Sequence, residues 1–229
     1  NPDNLVSMRI AGEDRLLFNA EVDLPGNNFG LWSYVPAAAK SNRFHNPTGL
    51  AYDAITGLTA VKSALSPDGG QLFFTQRQSP TSVRLYRYDG QSAPVQITSF
   101  TFPLDNLTDV AGTLFYTLDG TLYTSNGNQG HAVAILATDN SQVNISDVDH
   151  LTAFNDRLYF TAKGSNNVGN ELWTLDTQLE KAILVRNINS GRNDAGSDPL
   201  NLTVVNDVLY FTADDGISGR ELWRTGGNA

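Results

Sequence analysis

One four-residue run recurs five times along the chain, and this repetition limits the possible folds more than any other feature. The run is leucine, an apolar residue, an aromatic ring and a small polar residue. It appears as Leu16-Leu17-Phe18-Asn19, Leu72-Phe73-Phe74-Thr75, Leu114-Phe115-Tyr116-Thr117, Leu158-Tyr159-Phe160-Thr161 and Leu209-Tyr210-Phe211-Thr212. Its spacings are 56, 42, 44 and 51 residues, a mean period of about 48. A repeat of that length, filled with short apolar runs and turn residues, has the size of a four-stranded propeller blade. Solenoid repeats are shorter and more regular.

Each copy carries two further marks. An apolar-aromatic pair follows the central run, at Leu31-Trp32, Leu85-Tyr86, Leu122-Tyr123, Leu172-Trp173 and Leu222-Trp223. A leucine precedes it, at Leu5, Leu65, Leu107, Leu151 and Leu202. The last four of these stand seven residues before the run, and Leu5 stands eleven before. The frame is clearest in 149–173, DHLTAFNDRLYFTAKGSNNVGNELW, and 200–223, LNLTVVNDVLYFTADDGISGRELW.

These marks place four strands per repeat. The first leucine lies on an inner strand. A tight turn follows, made of Asn-Asp, Ala-Gly or Asp-Gly-Gly, residues that tolerate the positive φ of short hairpins. The aromatic run forms the second strand and the Leu-Trp or Leu-Tyr pair the third. A β-branched stretch such as Ala182-Ile183-Leu184-Val185 forms the outer one. In the first repeat residues 34–58 show no clear outer strand. The second strands read as nearly unbroken apolar runs, as expected where both faces of a sheet are covered. The fold class expected is all-β: one β-propeller domain, 1–229, with five blades at approximately 1–58, 59–100, 101–140, 141–190 and 191–229. The last repeat stops soon after its third strand. Its blade therefore has three strands, or takes a fourth from outside this sequence or from another chain; an open edge there would invite pairing.

Gly219-Arg220-Glu221-Leu222-Trp223-Arg224-Thr225-Gly226-Gly227 resembles the ELWxxDGT repeat of bacterial exported and surface proteins, as does the stretch ending Glu171-Leu172-Trp173. Ser66-Pro67-Asp68-Gly69-Gly70-Gln71-Leu72-Phe73-Phe74 looks like the SPDG repeat of TolB-type propellers. The first likeness covers about the last 80 residues well and the second covers one repeat. Both imply a propeller. The ELWxxDGT likeness also implies export to the cell surface, extracellular space or periplasm, often as a module of a larger protein. Neither supplies catalytic residues.

Composition narrows the roles. The formal charge is −9 and the pI about 4.6, so phosphate backbones and anionic membranes are repelled. No apolar stretch is long enough for a spanning helix. There is no cysteine, hence no thiol nucleophile and no disulfide framework. A start at Asn1 rather than Met fits removal of a leader or of a preceding domain. No serine-hydrolase elbow, phosphate loop or zinc-binding histidine spacing is present.

Several residues remain as candidates. Trp32, Tyr86, Tyr123, Trp173 and Trp223 are equivalent across repeats and read as inter-blade packing or as sugar-stacking platforms. Glu171 and Glu221 read as solvated or salt-bridged strand residues. The sharpest constellation lies just before the inner leucines: Asp3, Asp105 and Asp149 two residues before, and Asn4, Asn106, His150 and Asn201 one before. On adjacent inner strands they would form a ring of oxygen donors at a channel mouth, suited to Ca²⁺. Alternatively they open strands and satisfy local turn N–H groups. The expected role is a non-catalytic binding or scaffold propeller with a protein or glycan partner. The alternatives are a lectin and a metal-dependent lyase or hydrolase acting across the channel mouth.

Overall fold

The computed structural model describes residues 3–10, 13–21, 29–45, 55–61, 70–90, 92–101, 104–128, 133–134, 145–164, 168–176, 181–190 and 195–226. Among them every regular element but one three-residue 3₁₀ turn is a β-strand. The strands form five separate antiparallel sheets, each built from strands consecutive in the chain.

Sheet 1 is β1 (Asp3–Ile10), β2 (Glu13–Glu21), β3 (Phe29–Val35) and β4 (Lys40–His45). Sheet 2 is β5 (Ile55–Val61), β6 (Gln71–Ser79), β7 (Ser82–Tyr88) and β8 (Val95–Phe100). Sheet 3 is β9 (Leu104–Val110), β10 (Thr113–Leu118), β11 (Thr121–Ser125) and the two-residue β12 (Val133–Ala134). Sheet 4 is β13 (Ser146–Phe154), β14 (Arg157–Lys163), β15 (Asn170–Asp176) and β16 (Lys181–Arg186). Sheet 5 has three strands, β17 (Leu200–Val205), β18 (Val208–Asp214) and β19 (Arg220–Thr225).

The repeat therefore folds as its spacing predicts, with two corrections in the first half. Residues 34–58 are not irregular throughout, because β4 supplies an outer strand to sheet 1. The boundary drawn between 58 and 59 falls inside β5, which pairs with β6 as the first strand of sheet 2. Leu65 lies outside the described residues, and the leucine that β5 contributes is Leu58. The seven-residue spacing fails here because the connection between β5 and β6 is longer than the two-residue hairpins elsewhere. Those hairpins have both central residues at positive φ, at Ala111-Gly112, Asp119-Gly120 and Asn155-Asp156. This is the turn whose twist matches that of paired strands.

The chain divides into two compact units, Asn1–Leu114 with Thr124–Val133, and Phe115–Tyr123 with Ala134–Ala229. In the first, Met8, Leu17 and Leu31 of sheet 1 pack on Ile55, Leu72, Phe74 and Tyr88 of sheet 2. Asn19 adds a side-chain hydrogen bond from Nδ2 to the Ile55 carbonyl at 2.9 Å. The Thr59 hydroxyl donates to the Leu107 carbonyl at 2.8 Å. In the second, Phe154, Tyr159, Leu172 and Ile188 of the sheet 4 side pack on Leu209, Phe211 and Ala213 of sheet 5. The Val148 N–H donates to the Gly120 carbonyl at 2.9 Å.

One rule emerges from these contacts. At the two interfaces described, sheet 1 on sheet 2 and sheet 4 on sheet 5, the second residue of the central run and the leucine of the Leu-aromatic pair of the earlier sheet face the later one. The first and third residues of the later sheet's run, with the aromatic of its pair, face the earlier sheet. Burial of the second strand reports whether both faces of a sheet are covered. β6, β10 and β14 are buried continuously through their centres, whereas β18 alternates.

Candidate functional site

The residues proposed as a metal-binding ring sit at a structural irregularity common to the inner strands. Asn106, His150 and Asn201 have φ of 58°, 53° and 58°, and Gly57 occupies the same place in sheet 2 at 59°. The strand pairing slips at this point in sheets 1, 2, 4 and 5. Each inner strand so affected carries a bulge, and the residue before the leucine adopts the left-handed conformation that Asn and Gly tolerate best. The threonine after the leucine completes the motif. Thr108, Thr152 and Thr203 donate from Oγ1 to the carbonyls of Asn106, His150 and Asn201 at 2.8, 3.2 and 3.0 Å. The threonine ending the central run reaches across to the carbonyl before the bulge, from Thr161 to Asp149 at 3.3 Å and from Thr212 to Leu200 at 3.4 Å.

The carboxylates join the same local pattern. Asp149 accepts the His150 N–H at 2.7 Å, and the His150 ring lies 3.1 Å from the Thr161 hydroxyl. Asp105 is exposed. The side chains of Asp3 and Asn4 lie outside the described residues. Asp105 and Asn106 belong to one compact unit, and Asp149, His150 and Asn201 to the other. Among the described residues no three His, Asp or Glu side chains gather as they would to hold a metal ion. The N-L-T sequences at Asn106 and Asn201 are thus the signature of the bulge.

Glu171 is neither solvated nor salt-bridged, contrary to the sequence reading. It is fully buried. Its carboxylate accepts the backbone N–H groups of Ile188, Asn189 and Ser197 at 3.2, 3.3 and 3.2 Å, and the Ser197 hydroxyl as well. Burial pushes its pKa above the usual carboxylate range, while these hydrogen bonds pull the other way. The group fastens Ile188, Asn189 and Ser197, which lie between sheets 4 and 5 in the chain, onto the start of β15. Gly169 and Gly196 meet backbone to backbone at the same place, where a Cβ on either would overlap the other chain segment. Asn170 strengthens the crossing by accepting the Asp198 N–H at 3.0 Å on its carbonyl and donating to the Asp198 carboxylate at 3.1 Å.

The equivalent aromatics serve packing wherever their environment is described. Trp173 is fully buried and donates from Nε1 to the Ala162 carbonyl at 2.9 Å. Tyr86 stacks on Phe74 at 5.2 Å between ring centres, and Tyr123 on Tyr116 at 5.7 Å. The Arg186 guanidinium lies 5.6 Å from the centre of the Trp223 ring. Trp173 therefore offers no surface for a sugar.

An exposed apolar surface is the feature that sequence reasoning missed. Leu31, Leu85, Leu122 and Leu172 are all buried, yet their counterpart Leu222 is 72% exposed. Val205 and Leu200, on the same face of sheet 5, are exposed too. Ile217, at the tip of the β18–β19 loop, is 92% exposed. Asp215 holds that loop by accepting the N–H groups of Ile217 and Ser218 at 2.8 and 2.7 Å, which lowers its pKa. Arg220 braces the other end, donating to the Asp198 and Thr212 carbonyls at 2.9 and 3.1 Å.

No family model matches the sequence, and no curated protein sequence does. Solved structures with similar folds exist. The chain matches the β-propeller domain of the trilobed protease from Pyrococcus furiosus, described as having an open Velcro topology, with a TM-score of 0.58 at 13% identity; 98% of this chain and 69% of that one are covered. It matches a puromycin-hydrolysing peptidase of Mycobacterium tuberculosis with a TM-score of 0.55 at 13% identity, covering 98% of this chain and 36% of that one. For dipeptidyl peptidase 4 of Porphyromonas gingivalis the TM-score is 0.56 at 12% identity, with 98% and 32% covered. The chain thus spans about a third of the length of either peptidase. At these identities the likeness is one of fold, and it agrees with the repeat: the sheets are those of a β-propeller domain.

Proposed function

We propose that the chain is a non-catalytic β-propeller module, its five sheets serving as five blades, that binds or scaffolds a partner in an exported bacterial protein. The observation that carries this reading is the apolar face of sheet 5. Monomeric proteins rarely leave a contiguous apolar surface open unless something docks there. Sheet 5 presents Leu222, Val205 and Leu200 to solvent. The other strongly placed polar group, Glu171, is consumed in joining two sheets. Export and attachment to a larger protein rest on the ELWxxDGT resemblance.

The test is a charge placed at the centre of that face. A binding surface contributes little to the stability of the free module, so Leu222→Asp should leave the melting temperature nearly unchanged, as for a surface site. It should also reduce binding of an apolar-surface dye. A fall of many degrees would show that Leu222 is core and would remove this face as a binding surface.

A further inference from the structure

The sequence holds a single Asn-Gly pair, Asn126-Gly127, in the turn that follows β11. Asn126 and Asn128 are exposed, while Gly127 between them is buried at a φ of 82°. A Cβ on Gly127 would lie 3.0 Å from Gln71 Oε1, 3.1 Å from Arg87 Cδ and 3.1 Å from Phe73 Cζ, so the turn rests closely on β6 and β7. All of these residues belong to the same compact unit.

Two hydrogen bonds shape the turn, and both bear on the chemistry of its asparagine. Asn126 Oδ1 accepts the Asn128 N–H at 3.0 Å. This Asx turn folds the side-chain amide back over the Gly127 backbone. It also draws electrons from the amide carbon Cγ, the atom a neighbouring nitrogen would attack. Ser125 Oγ accepts the Gly127 N–H at 3.1 Å, which fixes the plane of the peptide carrying that nitrogen. Attack by the Gly127 nitrogen on Cγ closes a five-membered ring, and residue 127 has no side chain to hinder the approach.

We propose that Asn126 is a self-modification site, converted in the folded chain to aspartate and isoaspartate through a cyclic imide. The Gly127 nitrogen gives its proton to a solvent base and bonds to Asn126 Cγ. The bond from Cγ to the side-chain nitrogen breaks, and ammonia leaves. Water then opens the imide. Cleavage of the new bond to Cγ gives aspartate with the main chain unchanged. Cleavage at the backbone carbonyl carbon gives isoaspartate, with the main chain routed through Cβ. Nothing is oxidised or reduced, and water is the sole co-reactant. Both products place a carboxylate in the turn packed on Arg87. Isoaspartate also adds one carbon to the backbone beside Gly127, which is pressed against Phe73, and so loosens the turn from sheet 2.

The test compares the full chain folded and in denaturant, each incubated at neutral and at mildly alkaline pH. Peptide mass spectrometry follows conversion of amide to acid at residue 126, and an isoaspartyl methyltransferase scores the isoaspartate. The folded chain should convert Asn126 at least as fast as the unfolded chain does, and ahead of every other asparagine. The rate should rise with pH, because the attacking nitrogen must lose a proton. Asn126→Gln, an exposed change that keeps the fold, should stay unmodified over the same interval, since its ring would have six members. The melting temperature of the parent should fall as isoaspartate accumulates, while that of Asn126→Gln stays constant. Slower conversion in the folded chain than in denaturant overturns the inference, because the fold would then protect the pair rather than arrange it. So does a folded chain in which another asparagine converts first.

Discussion

Sheets 4 and 5 are near-copies in sequence and unequal in environment. Both carry L-T, N-D, L-Y-F-T-A and E-L-W in the same order. In sheet 4, Glu171, Leu172 and Trp173 are all buried; in sheet 5, Glu221 and Leu222 are exposed and Trp223 part-buried. The Trp173 indole donates to a carbonyl, whereas the buried Trp223 indole nitrogen has no hydrogen-bond partner among the described residues. β14 is buried on both sides and β18 on one. The repeat therefore specifies what a sheet offers to its neighbours, and the neighbours decide which residues become core. A motif read as one environment repeated five times is two half-interfaces, and each gains energy only when its complement is present.

The largest expected contrast is at the tryptophans. Trp173→Ala should cost ~3–5 kcal/mol in denaturant unfolding, the range for truncating a buried aromatic. Trp223→Ala should cost clearly less, because its ring is only part-buried. Equal costs would erase the distinction between the sheets. The leucines come next. Leu172→Ala should cost ~2–5 kcal/mol, and Leu222→Ala should stay within about 0.5 kcal/mol of the parent, as at surface positions.

The glutamates give a smaller contrast. Glu171→Gln places an amide NH₂ among N–H donors and should cost ~1–3 kcal/mol, the penalty for unpaired buried polar groups. Glu221→Gln should have almost no effect. The Glu171 contrast should also depend on pH. Its folded pKa is raised, chiefly by burial, so the folded chain holds this proton to higher pH than the unfolded chain does. The stabilisation from that proton is full below the ordinary carboxylate value of about 4.3 and is lost as pH rises through the raised value. The stability of the parent relative to Glu171→Gln should therefore decline as pH is raised from about 4.3 through the raised value. A difference that grows over this interval would mean that the hydrogen bonds outweigh burial.

Much of the fold was legible because apolar periodicity and turn chemistry are local. The central runs fixed all five second strands, and Ala111-Gly112 and Asn155-Asp156 marked tight hairpins. Leucine spacing misplaces the inner strand of sheet 2, which is Ile55–Val61. Gly57-Leu58-Thr59 would have placed it, being the same bulge as Asn106-Leu107-Thr108 with glycine taking the left-handed position. The outer strand Lys40–His45 has no apolar signature, because its sequence, Lys-Ser-Asn-Arg-Phe-His, carries only one apolar residue. The site was less legible. Glu171 and Glu221 are indistinguishable by motif, and only the path of the chain at Ile188, Asn189 and Ser197 makes one a buried staple. The exposure of Leu222 could not be read at all, since four of five equivalents are core.

Thiol labelling compares the two frames most directly, and the absence of native cysteine makes it clean. Leu172→Cys and Leu222→Cys are each exposed to a thiol reagent in dilute solution, and the rates are compared with that of the unfolded chain. At position 222 labelling should proceed at close to the unfolded rate. At position 172 it should be slower by a factor of at least ~10³, because a core position reacts only through opening of the fold. Comparable rates at the two positions would contradict the account, showing that sheets 4 and 5 are covered alike.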